Sequence, residues 1–355
     1  MKNYELLEKL TKLSGVSGNE KCVRNVMKNE LDSIADNVYK DNLGSIAFEL
    51  RGADESPKVL LVGHMDEIGF IVHSIKKNGL INFTNLGGWD PRTLMSSPVE
   101  IINRKGEKHI GIIGSVPVHH LKDSSGKLSL DDMYIDIGAD SDKEVEELFS
   151  IRKGNFIVPV TNFSYIEKKD CLISKAFDDR VGIAVAIETA KYFKDNKHPN
   201  TLFCAGSVQE EVGTRGAQTI SHLIKPDVAI VIEGAPGDDF PSNRDESQAK
   251  KNAGVQIRMI DPTMICNPQF ADFVIDIAEE QKIPYQIAVR KSGGTDAGKI
   301  HLSNLGVPTV VLSAPVRYAH SHNGILSMKD YNAVLNLAKA IVEKLDIKAF
   351  QSFID

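Results

Sequence analysis

What this chain has little of narrows its work before any motif is read. Its four cysteines, Cys22, Cys171, Cys204 and Cys266, form no C-x-x-C pair, and three lie in apolar or mixed runs, which predicts reduced thiols and a cytoplasmic home. No apolar run approaches the length of a membrane span, so no membrane partner is expected. The formal net charge, 42 basic minus 48 acidic residues or −6, comes without a long block of like charges. That offers neither a groove for nucleic acid nor a surface for anionic lipid. Aromatic residues make up 6% of the chain and Trp89 is its one tryptophan, which leaves little material for stacking sugar rings. No internal repeat or low-complexity tract is present.

What remains is a globular composition, 42% hydrophobic and 25% charged, in a chain of 355 residues, longer than one hydrophobic core usually supports. One large domain plus a smaller one is expected. The opening "MKNYELLEKLTKLSG" places Leu6, Leu10 and Leu13 at helical spacing with charged residues between them, an amphipathic helix and not a signal peptide. "KVLLVGHMD" (58–66), "TLFCAGSVQEE" (201–211), "DVAIVIEG" (227–234) and "VPTVVLSAP" (307–315) read as buried strands. Between them, "DDRVGIAVAIETAKYFKD" carries an apolar stripe through Val181, Ala184, Ile187 and Ala190, and "NPQFADFVIDIAEEQK" opens on Asn267-Pro268 as a cap and first-turn pair. The fold class is α/β, a sheet with helices on both faces. From Ile71 to Asn162, glycine, proline and alternating residues dominate, with one helical candidate at "DKEVEELF". Residues 71–162 are therefore read as an inserted β-rich domain, and 1–70 with 163–355 as one discontinuous catalytic domain.

The stretch "SVQEEVGTRGA" places Glu210 and Glu211 side by side where a buried strand ends. Strict alternation would send them to opposite faces of the sheet, so they serve one site only if both lie past the last paired residue. His64 and Asp66 follow another strand, Glu233 ends a third, and Asp178 opens a helix. Taken alone, Asp178 reads as a helix cap and His64 as a structural histidine. Together they converge, because open α/β sheets bind ligands outside the carboxyl ends of their strands. Several carboxylates buried at one edge are costly unless a cation neutralises them. Imidazole with carboxylates and no thiolate suits Zn, Co or Mn, and the carboxylate excess suits two ions sharing a bridging Asp. Two ions about 3.5–4 Å apart serve hydrolysis, and one Glu must stay free as the general base.

Five motifs in order, "GHMDEIGF", "KAFDDRVG", "QEEVGTRGA", "SGGTDAG" and "RYAHS", make the chain resemble the M42 family of dinuclear-metal aminopeptidases, the glutamyl and tetrahedral aminopeptidase group. The resemblance implies a metallopeptidase α/β domain interrupted by a small β-barrel dimerisation domain. It also implies two divalent ions per subunit, Zn or Co foremost with Mn as an alternative. His64 would lie on one ion, Asp178 would bridge both, Glu211 and His320 would be further ligands, and Glu210 would be the base. Asp66 would orient His64, since metal-bound imidazoles usually donate their other N–H to a carboxylate. Where the family commonly has Asp, this chain has Glu233, with Asp238 and Asp239 as alternatives. Related dinuclear peptidases imply a cis peptide between Asp178 and Asp179.

"SGGTDAG" lacks the spacing of a phosphate-binding loop. The resemblance sets it beside the cleft, with Gly294 and Thr295 near substrate and no role for Asp296. It brings Arg258 and Arg317 there too, where cations would favour acidic N-terminal side chains. The plainer readings are a surface charge for Arg258 and a structural ion pair for Arg317. His119-His120 has no carboxylate or cysteine cluster beside it and is not read as a ligand pair; His322 is read as a loop residue near the cleft. The expected function is a metal-dependent aminopeptidase acting on peptides, built as dimers assembled into a hollow dodecamer. A glycoside hydrolase of the endoglucanase kind, using paired carboxylates, is the rival from another class. A metal-stabilised assembly without catalysis is the third.

Overall fold

The structure is a computed structural model that describes residues 4–115, 128–241 and 245–354. Two short helices open it, α1 (Glu5–Thr11) and α2 (Lys21–Leu31). The first buries Leu7 and Leu10, while Leu6 and Leu13 only lean on the core. The helix ends at Thr11, two residues short of Leu13, so the last leucine of the predicted spacing falls outside it. Three strands follow, β1 (Asn37–Lys40), β2 (Ile46–Arg51) and β3 (Lys58–His64).

The chain then leaves this sheet and winds a closed barrel from β4 (Gly69–Ile75), β5 (Ile81–Leu86), β6 (Pro98–Ile102), β7 (Lys108–Ser115), β8 (Met133–Asp136) and β9 (Phe156–Pro159). Its strand order is β4-β5-β8-β7-β6-β9, with α3 (Asp142–Glu147) against one side. Closure removes the free edges that short antiparallel strands would otherwise expose. The barrel has its own apolar centre, including Phe70, Val72, Ile81, Val99, Ile113, Ile135 and Ile157. His119 and His120 lie outside the described residues.

After the barrel come β10 (Ser164–Ile166), β11 (Cys171–Ser174), α4 (Phe177–Asp195), β12 (Thr201–Ser207), α5 (Arg215–Ile224) and β13 (Val228–Glu233). The last third supplies β14 (Val255–Asp261), β15 (Met264–Ile265), α6 (Pro268–Glu280), β16 (Tyr285–Val289), α7 (Ala297–Ile300) and β17 (Thr309–Ser313). It ends with β18 (Val316–Arg317), β19 (Gly324–Ser327), α8 (Met328–Lys344) and α9 (Ile347–Ile354). Asn267 caps α6 by accepting the Phe270 N–H at 2.9 Å, with Pro268 in the first turn, as the Asn-Pro pair predicts.

The main sheet has nine strands, ordered β1-β2-β12-β3-β13-β17-β14-β15 with β16 beside β14, and a separate small sheet runs β10-β11-β19-β18. At its centre β12, β3, β13 and β17 are mutually parallel. Both β12 and β13 are buried along their whole length, which is why they read as unbroken apolar runs. Parallel direction puts their carboxyl ends on one edge. Register fixes the details there: Ser207 pairs with His64 and Glu233 with Ser313. Helix α4 lies against β3 so closely that a Cβ at Gly63 would sit 2.7 Å from Asp179 Oδ2, and one at Gly182 would strike the same carboxylate. Among the described residues no helix is long and apolar enough to cross a membrane.

Candidate metal centre

The two adjacent glutamates reach one site because the backbone turns between them and the sheet. Strand β12 ends at Ser207, and Gln209 takes φ +56, a left-handed conformation that breaks the alternation. The Glu210 carbonyl then accepts the N–H groups of Gly213 at 2.9 Å and Thr214 at 2.8 Å, closing a turn. Helix α4 contributes through its irregular start. Asp178 and Asp179 have non-helical dihedrals, and the peptide between them is cis. Asp179 caps the helix by accepting the Gly182 N–H at 2.9 Å, and its other oxygen accepts the His64 N–H at 3.0 Å. Asp178 is thereby left to face the strand ends.

At the centre lies Asp178. Its Oδ1 is 3.1 Å from His64 Nε2 and its Oδ2 is 3.2 Å from His320 Nε2. Glu233 Oε2 lies 3.7 Å and Glu210 Oε2 4.0 Å from His64 Nε2, while Glu211 Oε1 is 3.6 Å from His320 Nε2. Three overlapping sets of donor atoms lie within 4.8 Å of one another: His64 with Asp178 and Glu233, His320 with Asp178 and Glu211, and His64 with Glu210 and Glu211. Asp178 belongs to two of them. The tautomers test whether a cation fits. His64 Nδ1 contacts the Asp66 carbonyl at 3.0 Å and His320 Nδ1 the Gly88 carbonyl at 2.9 Å. A carbonyl only accepts, so each Nδ1 carries a proton; against the effect of burial, the carboxylates around each Nε2 hold a second proton there, which it donates to Asp178 in the metal-free site. A divalent cation can take the place of those protons, and Glu211 Oε1, buried without a hydrogen-bond partner, offers it a further oxygen. The donor set fits divalent cations.

Asp66 behaves differently from the expectation drawn from the resemblance. The imidazole of His64 is oriented by the Asp66 backbone carbonyl, while the carboxylate stands back at 3.5 Å. That carboxylate instead accepts the N–H groups of Glu210 at 3.0 Å and Glu211 at 3.2 Å. Its reach across to β12 is short because β3 and β12 are neighbours. Gly88 on the barrel and Asp179 also position the site, and neither was singled out in the sequence. A backbone carbonyl has no residue-type signature, and Asp179 enters the sequence reading only as the second residue of the expected cis peptide.

A cleft of about 520 Å³ opens over the cluster, and Gly294, Thr295 and Arg258 help to line it. Arg258 is buried and paired with Asp261 at 3.0 Å, so the surface-charge reading fails. Arg290 is a second cleft cation that the sequence reading missed. Arg317 is instead held by both oxygens of Asp239 and does not line the cleft wall, and Asp238 accepts from Ser247, Gln248, Ala249 and Arg290. Both alternatives to Glu233 are thus engaged elsewhere. His322 is buried against Trp89, with ring centroids 5.4 Å apart. Burial holds its imidazole down at about 4. Asp296 is buried below the cluster and accepts from Ser207 Oγ, and burial raises its carboxyl to about 6.

The protonation of the cluster records its crowding. Burial, then the charges of Asp178 and Asp66, raises Glu211 to about 7. Burial with neighbouring carboxylates pushes Glu210 and Glu233 well above their usual range. Burial alone would lower His320, but Glu211 and Asp178 outweigh it and lift it to about 10. Groups with raised folded-state values hold extra protons in the native state, so stability is full below the unfolded pKa and falls as pH rises through the folded one. For Glu211 that window runs from the ordinary carboxylate range to about 7, and for His320 from the ordinary imidazole range to about 10. Metal-stripped protein is therefore expected to lose thermal stability steadily between about pH 5 and pH 9. Added Zn or Co should raise Tm more at pH 8 than at pH 6, because cations compete with those protons. Thermal melts across this range with and without metal check it; a pH-independent metal effect would contradict it.

The family described as M42 glutamyl aminopeptidase matches residues 44–337. A TET aminopeptidase from the marine sediment archaeon Thaumarchaeota archaeon SCGC AB-539-E09 is 40% identical, with 99% of each chain covered and a TM-score of 0.95. The lysyl aminopeptidase of Pyrococcus furiosus is 32% identical, across 97% of this chain and 98% of its own. The Pyrococcus horikoshii TET1 peptidase, which can assemble into a tetrahedron or a large octahedral shell, is 30% identical with a TM-score of 0.84, covering 96% of this chain and 99% of that one. Full-length similarity of this order, on the same fold, makes the chain a peptidase and a member of the M42 aminopeptidase family.

Proposed function

We propose that this aminopeptidase works with two divalent ions, Zn or Co foremost and Mn as the alternative, and with Glu210 as its general base. The observation that carries this reading is Asp178, one carboxylate whose two oxygens each face an imidazole Nε2. His64, Asp178 and Glu233 would hold one ion, and Asp178, Glu211 and His320 the other. When bound, the ions polarise the scissile carbonyl and lower the pKa of water. Glu210 takes the proton from the attacking water and passes it to the departing amine as the C–N bond breaks. It suits this task because burial makes its carboxylate a stronger base than usual. The negative cluster also receives the α-ammonium of the substrate, which restricts cleavage to the first residue.

Two further readings belong with this one. Arg258 and Arg290 on the cleft wall favour an acidic N-terminal side chain. The barrel forms a dimer that assembles into a hollow particle, a reading supported by the shells of the TET1 relative and by Ile110 and Ile112, which are exposed on the outer face of β7. A glycosidase is less compatible. Two carboxyls flanking a sugar bond need no imidazoles, whereas here His64 and His320 both face the shared carboxylate of Asp178.

Glu210→Gln is expected to keep two ions and lose about 10²–10⁴-fold in kcat, the usual worth of a general base. His64→Ala should lose metal as well. Elemental analysis with anilide kinetics separates the two, and full activity in Glu210→Gln would sink the assignment. Glu-p-nitroanilide should be cleaved at least about 10-fold faster than Leu-p-nitroanilide, with Arg290→Met narrowing the gap; equal wild-type rates would remove the acidic preference. Light scattering should give a particle many times the mass of one chain, and Ile110→Glu/Ile112→Glu should shift it toward single chains. A fully active wild-type monomer would discard the assembly.

A further inference from the structure

The loop between α1 and α2, "LSGVSGNE" (13–20), buries Ser14, Gly15, Val16, Ser17 and Glu20 although it lies far in sequence from every motif of the site and outside the family match at residues 44–337. Ser17 Oγ donates to Asp66 Oδ2 at 2.6 Å, the same oxygen that accepts the Glu211 N–H, while Oδ1 takes the Glu210 N–H. Glu20 Oε1 accepts the N–H of Gln209 at 3.2 Å and of Gly18 at 2.7 Å. Both ends of the Gln209–Glu211 turn are thus held through this loop, one end directly and the other through Asp66. The loop is itself anchored by Gly15, which donates to Glu67 at 3.1 Å and accepts from Arg180 at 3.2 Å, and by Leu13, whose carbonyl accepts from Lys175 at 2.8 Å.

We propose that Ser17, supported by Glu20, is a positioning residue of the metal centre: its hydroxyl fixes the rotation of the Asp66 carboxylate, and that carboxylate sets where Glu210 and Glu211 stand. The claim rests on the reading of Glu211 as a ligand and Glu210 as the base. Without the hydroxyl, Asp66 Oδ2 keeps one donor in place of two, and the carboxylate is free to turn away from the paired N–H groups. Groups behind the ligands typically govern 10- to 100-fold in affinity or activity. Glu20 needs only an acceptor oxygen for its part, so its charge is dispensable while its length is not.

The test uses Ser17→Ala, Ser17→Thr, Glu20→Gln and Glu20→Ala in the full chain. Co or Zn is titrated into metal-stripped protein, and kcat and KM are measured separately at saturating metal. Ser17→Ala is expected to weaken the more loosely held ion about 10-fold and to lower kcat about 10-fold. KM should stay within about twofold, because the cleft wall is untouched. Ser17→Thr, which keeps the hydroxyl, should restore both, and Glu20→Gln should resemble wild type while Glu20→Ala resembles Ser17→Ala. Unchanged affinity and kcat in Ser17→Ala would overturn the proposal. So would a loss that tracks a fall in Tm and that neither conservative variant recovers. Wild-type protein that binds two ions yet cleaves no aminoacyl anilide would instead defeat the underlying reading of activity, and the affinity measurements would still decide the role of Ser17.

Discussion

One carboxylate, Asp178, faces two imidazoles whose other nitrogens are already committed to backbone carbonyls. Much of the architecture can be traced to that arrangement. To bring Asp178 over the ends of the parallel strands, the start of α4 must abandon helical geometry and press against β3. Gly63 and Gly182 permit the approach, since a Cβ on either would collide with the Asp179 carboxylate. Asp179 in turn secures the contact from both sides, holding the His64 N–H with one oxygen and the helix N-terminus with the other.

So many like charges at one edge are held in place by a second charged layer behind them. Glu67, one residue beyond Asp66, is buried with Lys175 at 2.6 Å and Arg180 at 3.1 Å. Neither cation can relax into water, and removing one partner of such a network strands a buried charge, a loss of roughly 3–5 kcal/mol. The network joins the strand end after β3, the start of α4 and the loop after α1. The strain of the negative cluster therefore falls on a scaffold with few alternative arrangements.

The barrel enters the site as well. Gly88, in the connection after β5, orients His320 through its carbonyl. Beside it, Trp89 stacks on Phe70 at 4.9 Å in the barrel core and packs on His322 at 5.4 Å. The loop carrying His320 is thus gripped by barrel residues from two directions. A segment that reads in sequence as remote from the chemistry contributes the orientation of one imidazole.

What the sequence determined by itself was local and periodic. Unbroken apolar runs marked β3, β12 and β13, because strands buried on both faces leave no room for polar alternation, and the acidic or imidazole residue at each strand end stood out against those runs. Adjacent Glu210 and Glu211 could be placed past the end of β12 from alternation alone. Only the tertiary structure decided which groups meet. Gly88 and the Asp66 carbonyl act through backbone atoms common to every residue, Ser17 and Glu20 act across nearly fifty residues or more, and Arg258 exchanged an expected surface position for a buried one on the cleft wall. Residue type records what a side chain can do; its partner is set by how parallel strands, a kinked helix and a barrel pack together, and no periodicity in the chain carries that information.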